Sequence, residues 1–312
     1  MKHVFMEHAG PLVLLHGGAG ALDPKRPRAQ QAVVSLTRIA RRGFRALAAG
    51  EDPAEVAAAC CWQMERDPLF NAGLGSALQT DGAVRMSAAL MVGAKQSFSG
   101  VVNASFLDHP IELGVALQRR SARVLGPPGS DLLARELGLS VTLPLTPARS
   151  EAWLERLRRH AYRPLDASTG RGRGPGGDTV GCLVRTARGA LVAAASTGGR
   201  GFEYPGRVSD TCTVAGTYAS KFAAVVATGV GEQIIDDALA SRLETRVRDG
   251  MTVIEASEKC LREARLRRRS YGWLALSQAH WSVSHTTRSM PYVVVGQGGR
   301  GGTVLSTSSV ER

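Results

Sequence analysis

Apolar and polar positions along this chain fall into two patterns: short unbroken apolar runs and longer amphipathic stretches. Residues 11–15 form a continuous apolar run of buried-strand character that ends in His16-Gly17-Gly18-Ala19-Gly20. The spacing of Val33, Leu36, Ile39, Ala40, Gly43 and Leu47 predicts a helix that stops at Gly50. Asp52-Pro53-Ala54-Glu55 opens a second helix, to about Arg66, with a capping aspartate, a proline at the first helical position and a glutamate three residues past the cap. Residues 83–91 and 98–104 read as strands around a turn, and 111–120 and 131–137 as helices, the second capped by Ser130. Ser150 is expected to cap a helix running from Glu151 to about His160.

Periodicity stops from 162 to 178, where arginine, glycine and proline dominate and the composition is that of a flexible basic linker. Beyond it, 179–186 and 190–196 read as a hairpin around Arg188-Gly189, followed by strands near 213–218 and 222–227. Helices are expected at 233–248 and 252–268, and strands at 273–276, 280–285 and 292–295. Each half therefore carries strands plus a helix pair. That order fits helices bracketing two packed sheets in one α/β layered body.

Composition narrows the class. The 312 residues are 44% hydrophobic and 21% charged, enough for a sizeable globular core. Nothing approaches the ~18 consecutive apolar residues of a membrane span, and Met1–Gly10 has no signal-peptide pattern. The five cysteines, Cys60, Cys61, Cys182, Cys212 and Cys260, show no C-x-x-C spacing and lie in apolar surroundings, so buried reduced thiols in a cytoplasmic protein are expected. The net charge of +12 invites a nucleic-acid reading. Much of it sits in 156–173 and 262–269, where a solvated linker and one basic helix face explain it more simply.

The chemistry gathers around Gly177-Asp178-Thr179-Val180-Gly181. A threonine hydroxyl is a weak nucleophile and needs an adjacent base. If the chain cuts itself between Asp178 and Thr179, the freed α-amine, which ordinarily titrates at roughly 7.7–8.0, is such a base. Glycines after a strand, as in His16–Gly20, let the backbone present N–H groups to an oxyanion, and that loop has no G-x-G-x-x-G dinucleotide fingerprint. No G-x-S-x-G occurs, which excludes an ordinary α/β-hydrolase.

Taken with Phe70-Asn71-Ala72-Gly73, Ser196–Gly199, 206–210 (Gly-Arg-Val-Ser-Asp), 228–232 (Thr-Gly-Val-Gly-Glu) and 286–291, the chain resembles the plant-type asparaginase and isoaspartyl peptidase family of N-terminal-nucleophile hydrolases. The resemblance runs from His16 to about Tyr292. It implies a four-layer αββα sandwich cut into an α subunit (1–178) and a β subunit (179–312), which together form one structural domain and pair as an (αβ)2 dimer, a heterotetramer of chains. It implies hydrolysis of L-asparagine or β-aspartyl peptides by Thr179. Thr197 would orient the nucleophile, and Thr228 Oγ with the Gly229 N–H would form the oxyanion hole. Arg207 would hold the substrate carboxylate and Asp210 its ammonium, with Gly231 beside them and Asn71 in support. No cofactor or metal is implied for the chemistry, although members of the family can hold a structural sodium through backbone carbonyls before Phe70.

The chain also departs from the family. Ser87 and Val92 replace usual aspartates, Ser209 stands where glycine is usual, and Asp178 matches the taspase-like and glycosylasparaginase-like branches, which are the alternative enzyme readings. A catalytically silent, basic nucleic-acid-binding relative is the alternative of another class. The presence of Thr179, Arg207 and Asp210 speaks against it.

Overall fold

Two sheets stacked face to face hold the strands of the computed structural model, which describes residues 2–20, 27–139, 141–163, 179–297 and 302–308. The larger sheet contains β2 (Leu12–His16), β3 (Met86–Val92), β4 (Ser97–Ala104), β5 (Val124–Leu125), β6 (Thr179–Arg185), β7 (Leu191–Thr197), β12 (Tyr292–Gly296) and β13 (Thr303–Thr307). Their order is β13-β12-β2-β6-β7-β3-β4-β5, antiparallel except for the parallel β4–β5 pair. The smaller sheet runs β1 (Lys2–Glu7), β11 (His280–His285), β10 (Tyr271–Ser277), β9 (Ala223–Gly229), β8 (Thr217–Ala219), all antiparallel. Strands from both sides of residue 178 alternate within the larger sheet, so neither half closes it alone.

Three apolar clusters define four layers. Leu12, Leu14, Leu183 and Ala193 from the larger sheet meet Val226, Leu274, Trp281 and Val283 from the smaller one, which is the seam between the sheets. The opposite face of the larger sheet, with Val13, Leu15, Val180, Cys182 and Val184, packs under helices α1 (Pro27–Ala48), α2 (Pro53–Glu65) and α3 (Pro110–Leu117). The outer face of the smaller sheet, with Val225, Tyr271 and Trp273, is covered by α6 (Gly231–Asp236), α7 (Leu239–Arg248) and α8 (Val253–Leu266). The order is helix, sheet, sheet, helix. Two further helices, α4 (Gly129–Glu136) and α5 (Pro147–Arg159), complete the α-helices among the described residues.

Local chemistry explains where expectation and structure part. The cap of α5 is Thr146, whose hydroxyl accepts from Arg149 N, because Pro147 presets the first helical position; Ser150 lies inside the helix. Likewise α4 starts at Gly129, with Ser130 inside it. The single helix expected at 233–248 is two. Ala238 is left-handed, with φ 44°, and Asp237 is drawn to Tyr271, Arg267 and Arg269. The new N-terminus of α7 is satisfied by carbonyls of Ala215 and Val214. The short turn at Asp210–Cys212 runs on into a turn over 213–216, so the strand expected near 213–218 is confined to Thr217–Ala219. Edge strands β1 and β13 have no counterpart in the sequence pattern: neither has a fully buried residue, so neither carries an apolar run. All five cysteines are free and buried. No helix among the described residues is long and apolar enough to cross a membrane. Most of the expected basic linker, together with Asp178, lies outside the described residues.

Candidate active site

Thr179 is the first residue of β6 and sits directly opposite Thr197, the last residue of β7; Ser87 of β3 continues the same row. Residues opposite one another in antiparallel strands show their side chains on one face, so register alone sets three hydroxyls side by side. All three are buried. The Thr197 hydroxyl accepts from Gly199 N at 3.1 Å, folding the chain back just after β7. Asn71 fastens that turn: its amide donates to Gly199 O at 2.7 Å, its carbonyl oxygen accepts from Ala77 N at 2.8 Å, and its backbone O accepts from Gly198 N.

The smaller sheet supplies the next group. Thr228, fully buried near the end of β9, accepts at Oγ1 from Thr179 N at 3.3 Å and from Ala19 N at 3.1 Å. With both contacts accepted, the one hydroxyl proton of Thr228 is left to donate elsewhere. The Ala19 contact gives the His16–Gly20 loop a role: its backbone is aimed at Thr228 and is itself held by Pro291 and Ser289. Gly229 follows with φ 131°, and a side chain there would strike Tyr271 and Ser270. His16, at the end of β2, is wholly buried. Burial brings its pKa down to about 3, so it is neutral.

A charged pocket adjoins these hydroxyls. Asp210 is 3% exposed, and burial pushes its pKa up to about 6 against the pull of Arg207. Its Oδ2 has no hydrogen-bond partner among the described residues, and an orphaned buried carboxylate oxygen asks for a donor. Arg207 gives its Nε–H to Glu232 Oε1 at 2.7 Å. Burial works against its charge, but Glu232, with Glu203 and Asp210 behind it, keeps its pKa above the ordinary value. Glu232 is drawn down in turn: burial opposes its charge and the Arg207 hydrogen bond outweighs that. The two head groups converge on Gly231. A Cβ there would stand 2.5 Å from Asp210 Oδ1 and 2.6 Å from Arg207 Nη2.

Three participants are given no role by the sequence. Thr211 Oγ1 lies 3.4 Å from Thr179 Oγ1, and Ser209 Oγ lies 3.1 Å from Thr211 Oγ1. Glu232 reads, along the chain, only as the end of a motif. A lone hydroxyl in a loop carries no periodic or spacing signal, and the Arg207–Glu232 pair spans 25 residues. The structure gathers Thr179, Thr197, Thr228, Arg207, Asp210 and Gly231 in one place, with Asn71 behind the Thr197–Gly199 turn. Wider grooves lie on the outer helices. One of about 540 Å³, lined by Arg38, Arg42, Arg45, Arg66 and Trp62, offers exposed cations and no nucleophile.

Comparison with known proteins adds an independent finding. A family model described as asparaginase matches residues 9–305. An isoaspartyl peptidase/L-asparaginase of Synechocystis is 40% identical over 276 residues, covering 86% of this chain and 83% of that one. An isoaspartyl peptidase of Salmonella typhimurium is 32% identical, covering 81% and 84%. A human isoaspartyl peptidase/L-asparaginase is 30% identical, covering 92% and 94%.

Proposed function

The chain belongs to the asparaginase family, within the N-terminal-nucleophile hydrolases, and we propose that it is an autoprocessing amidohydrolase releasing aspartate from L-asparagine and β-aspartyl peptides. The observation that carries this reading is the contact of Thr179 N with Thr228 Oγ1 beside the Arg207–Asp210 pocket. On this reading the contact sets the nucleophile beside its oxyanion donor, next to the pair that reads the amino-acid head group.

Cleavage before Thr179 turns its peptide nitrogen into an amine. That amine takes the proton of Oγ1, and Oγ1 attacks the side-chain carbonyl carbon of the substrate. Negative charge forms on the carbonyl oxygen and is met by the Thr228 hydroxyl and the Gly229 N–H. The leaving ammonia or peptide amine carries off the proton held by the Thr179 ammonium. Water then hydrolyses the aspartyl ester and restores Thr179. Arg207 takes the α-carboxylate through a guanidinium fork and Asp210 the α-ammonium, which orients the β-carbonyl toward Oγ1. Thr197 and Asn71 hold the neighbouring turn in place.

The two pieces, 1–178 and 179–312, stay together as one domain and pair as an (αβ)2 dimer on this reading. Five free, buried thiols suit a reducing compartment such as the cytoplasm. Intact mass is the direct test. Two fragments dividing at Asp178–Thr179, absent in Thr179→Ala, together with aspartate release from asparagine or a β-aspartyl dipeptide, are expected. A chain that stays whole and inactive under all conditions refutes the reading.

A further inference from the structure

Two buried hydroxyls, Ser209 and Thr211, take no step in the reaction above, yet they span the distance between its head-group pocket and its nucleophile. Ser209 Oγ accepts from Thr211 N at 3.2 Å and so has a single proton left to place. Two acceptors compete for it: Asp210 Oδ1 at 3.4 Å and Thr211 Oγ1 at 3.1 Å. Thr211 Oγ1 in turn meets Thr179 Oγ1 at 3.4 Å, where either hydroxyl can donate. The Thr211 carbonyl is tied down separately by the Thr217 hydroxyl at 3.0 Å, so the loop is held while the hydroxyl protons are free to turn.

We propose that Ser209 and Thr211 are positioning residues that couple occupancy of Asp210 by a cationic head group to the orientation of the Thr179 hydroxyl. The inference rests on the reading of Thr179 as nucleophile and Asp210 as the ammonium site. The charged groups acting on Asp210 are Arg207, from its own loop, and Glu232, from α6. An ionised Asp210 whose Oδ2 lacks a donor draws the Ser209 proton to itself, since a bond to a charged acceptor is the stronger one. Thr211 Oγ1 then receives nothing from Ser209 and accepts from Thr179, which turns the Thr179 O–H away from its base.

A bound ammonium changes the competition. Once Asp210 is paired, the Ser209 proton goes to the nearer acceptor, Thr211 Oγ1. Thr211 turns its own O–H toward Thr179 Oγ1, which frees the Thr179 O–H to point at the amine. Hydroxyls rotate; no atom is transferred. The arrangement ties chemistry to the presence of the right head group, and a substrate without an ammonium leaves the network in its resting form. The long 3.4 Å contacts suit a site that tightens on substrate binding.

The test uses mature enzyme, normalised to the cleaved fraction by intact mass, with L-asparagine and with succinamate, which keeps the carboxylate and amide but lacks the ammonium. Ser209→Ala is expected to lower kcat for asparagine roughly three- to tenfold, the worth of one hydrogen bond, with KM little changed because Arg207 and Asp210 stay. The kcat ratio of asparagine to succinamate should shrink in Ser209→Ala and in Thr211→Val, and recover in Thr211→Ser. Unchanged kcat and an unchanged ratio in Ser209→Ala overturn the proposal, as does an effect on KM alone. Wild type that hydrolyses neither compound, or Thr179→Ala that remains active, overturns the parent reading instead and takes the proposal with it.

Discussion

Asp210→Asn is expected to make the protein more stable while disabling it, and the size of the gain follows from burial. The carboxyl of Asp210, with an ordinary value of 3.8, is held at about 6, chiefly by desolvation. A rise of about two pH units means that ionised Asp210 costs the folded state about 3 kcal/mol. The folded value lies above the unfolded one, so the folded protein binds the extra proton between about pH 4 and 6. Stability therefore falls as pH rises through that window, and the cost is fully present above about pH 6. Asparagine at this position carries no charge to desolvate, and Arg207 keeps Glu232 as partner. Urea unfolding in a Thr179→Ala background, which keeps the chain whole, should show Asp210→Asn ahead by up to about 3 kcal/mol at about pH 8 and level at about pH 4, or roughly 5 °C in Tm for a chain of this length. In the chain that retains Thr179, the same change should remove most binding of asparagine. A variant less stable than its parent at the higher pH, or an advantage indifferent to pH, would refute the idea that this carboxylate is strained until a cation arrives.

Other outcomes follow from the same geometry. Thr228→Val keeps the shape but removes the hydroxyl proton that meets the oxyanion; kcat should drop ~10²–10³-fold with KM nearly unchanged, read by steady-state kinetics on cleaved enzyme. Gly231→Ala puts a methyl 2.5 Å from Asp210 Oδ1 and 2.6 Å from Arg207 Nη2, so the head-group pocket must spread. KM for asparagine should rise roughly tenfold or more while circular dichroism stays native. For the unmodified enzyme, kcat/KM should fall with unit slope below about pH 6, because substrate ammonium needs ionised Asp210.

The strands that carry the site were legible because each is buried along nearly its whole length: β6 and β7 show seven buried residues apiece and β9 six of seven, and such strands must be written as apolar runs. β1 is hidden from the pattern because it pairs only with β11 at a sheet edge and leaves Phe5 and Met6 in solvent. The roles expected of Arg207 and Asp210 rest on the family resemblance of the 206–210 motif and not on their spacing, which alone suggests no more than a loop salt bridge. Thr211 and Glu232 gave no such signal. One contacts Thr179 across 32 residues and the other binds Arg207 across 25, and only the folded chain brings them together. Ser209 was visible as a departure, yet its meaning depends on two acceptors that no local pattern displays.

The position of Thr179 within the sheet bears on how the protein would tolerate the proposed cut. A nucleophile that is also a chain end must stay fixed to a fraction of an ångström after the peptide bond ahead of it is gone. β6 meets that demand because it is an interior strand, paired with β7 along its whole length and with β2 from Gly181 to Arg185. Val180, Leu183 and Val184 are wholly buried, and each contributes about 2 kcal/mol against withdrawal from the core. The far end is pinned by Arg185, whose buried guanidinium, its pKa lowered by desolvation to about 10, donates to carbonyls of Gly10, Ser277, Gln278 and His8. Those contacts join the larger sheet to the β10–β11 turn and to the segment after β1. A new N-terminus at Thr179 therefore gains an ionisable amine without gaining freedom of movement, and its nitrogen stays within reach of Thr228. Had the same threonine opened an edge strand such as β13, cleavage would have released the residue that was meant to react.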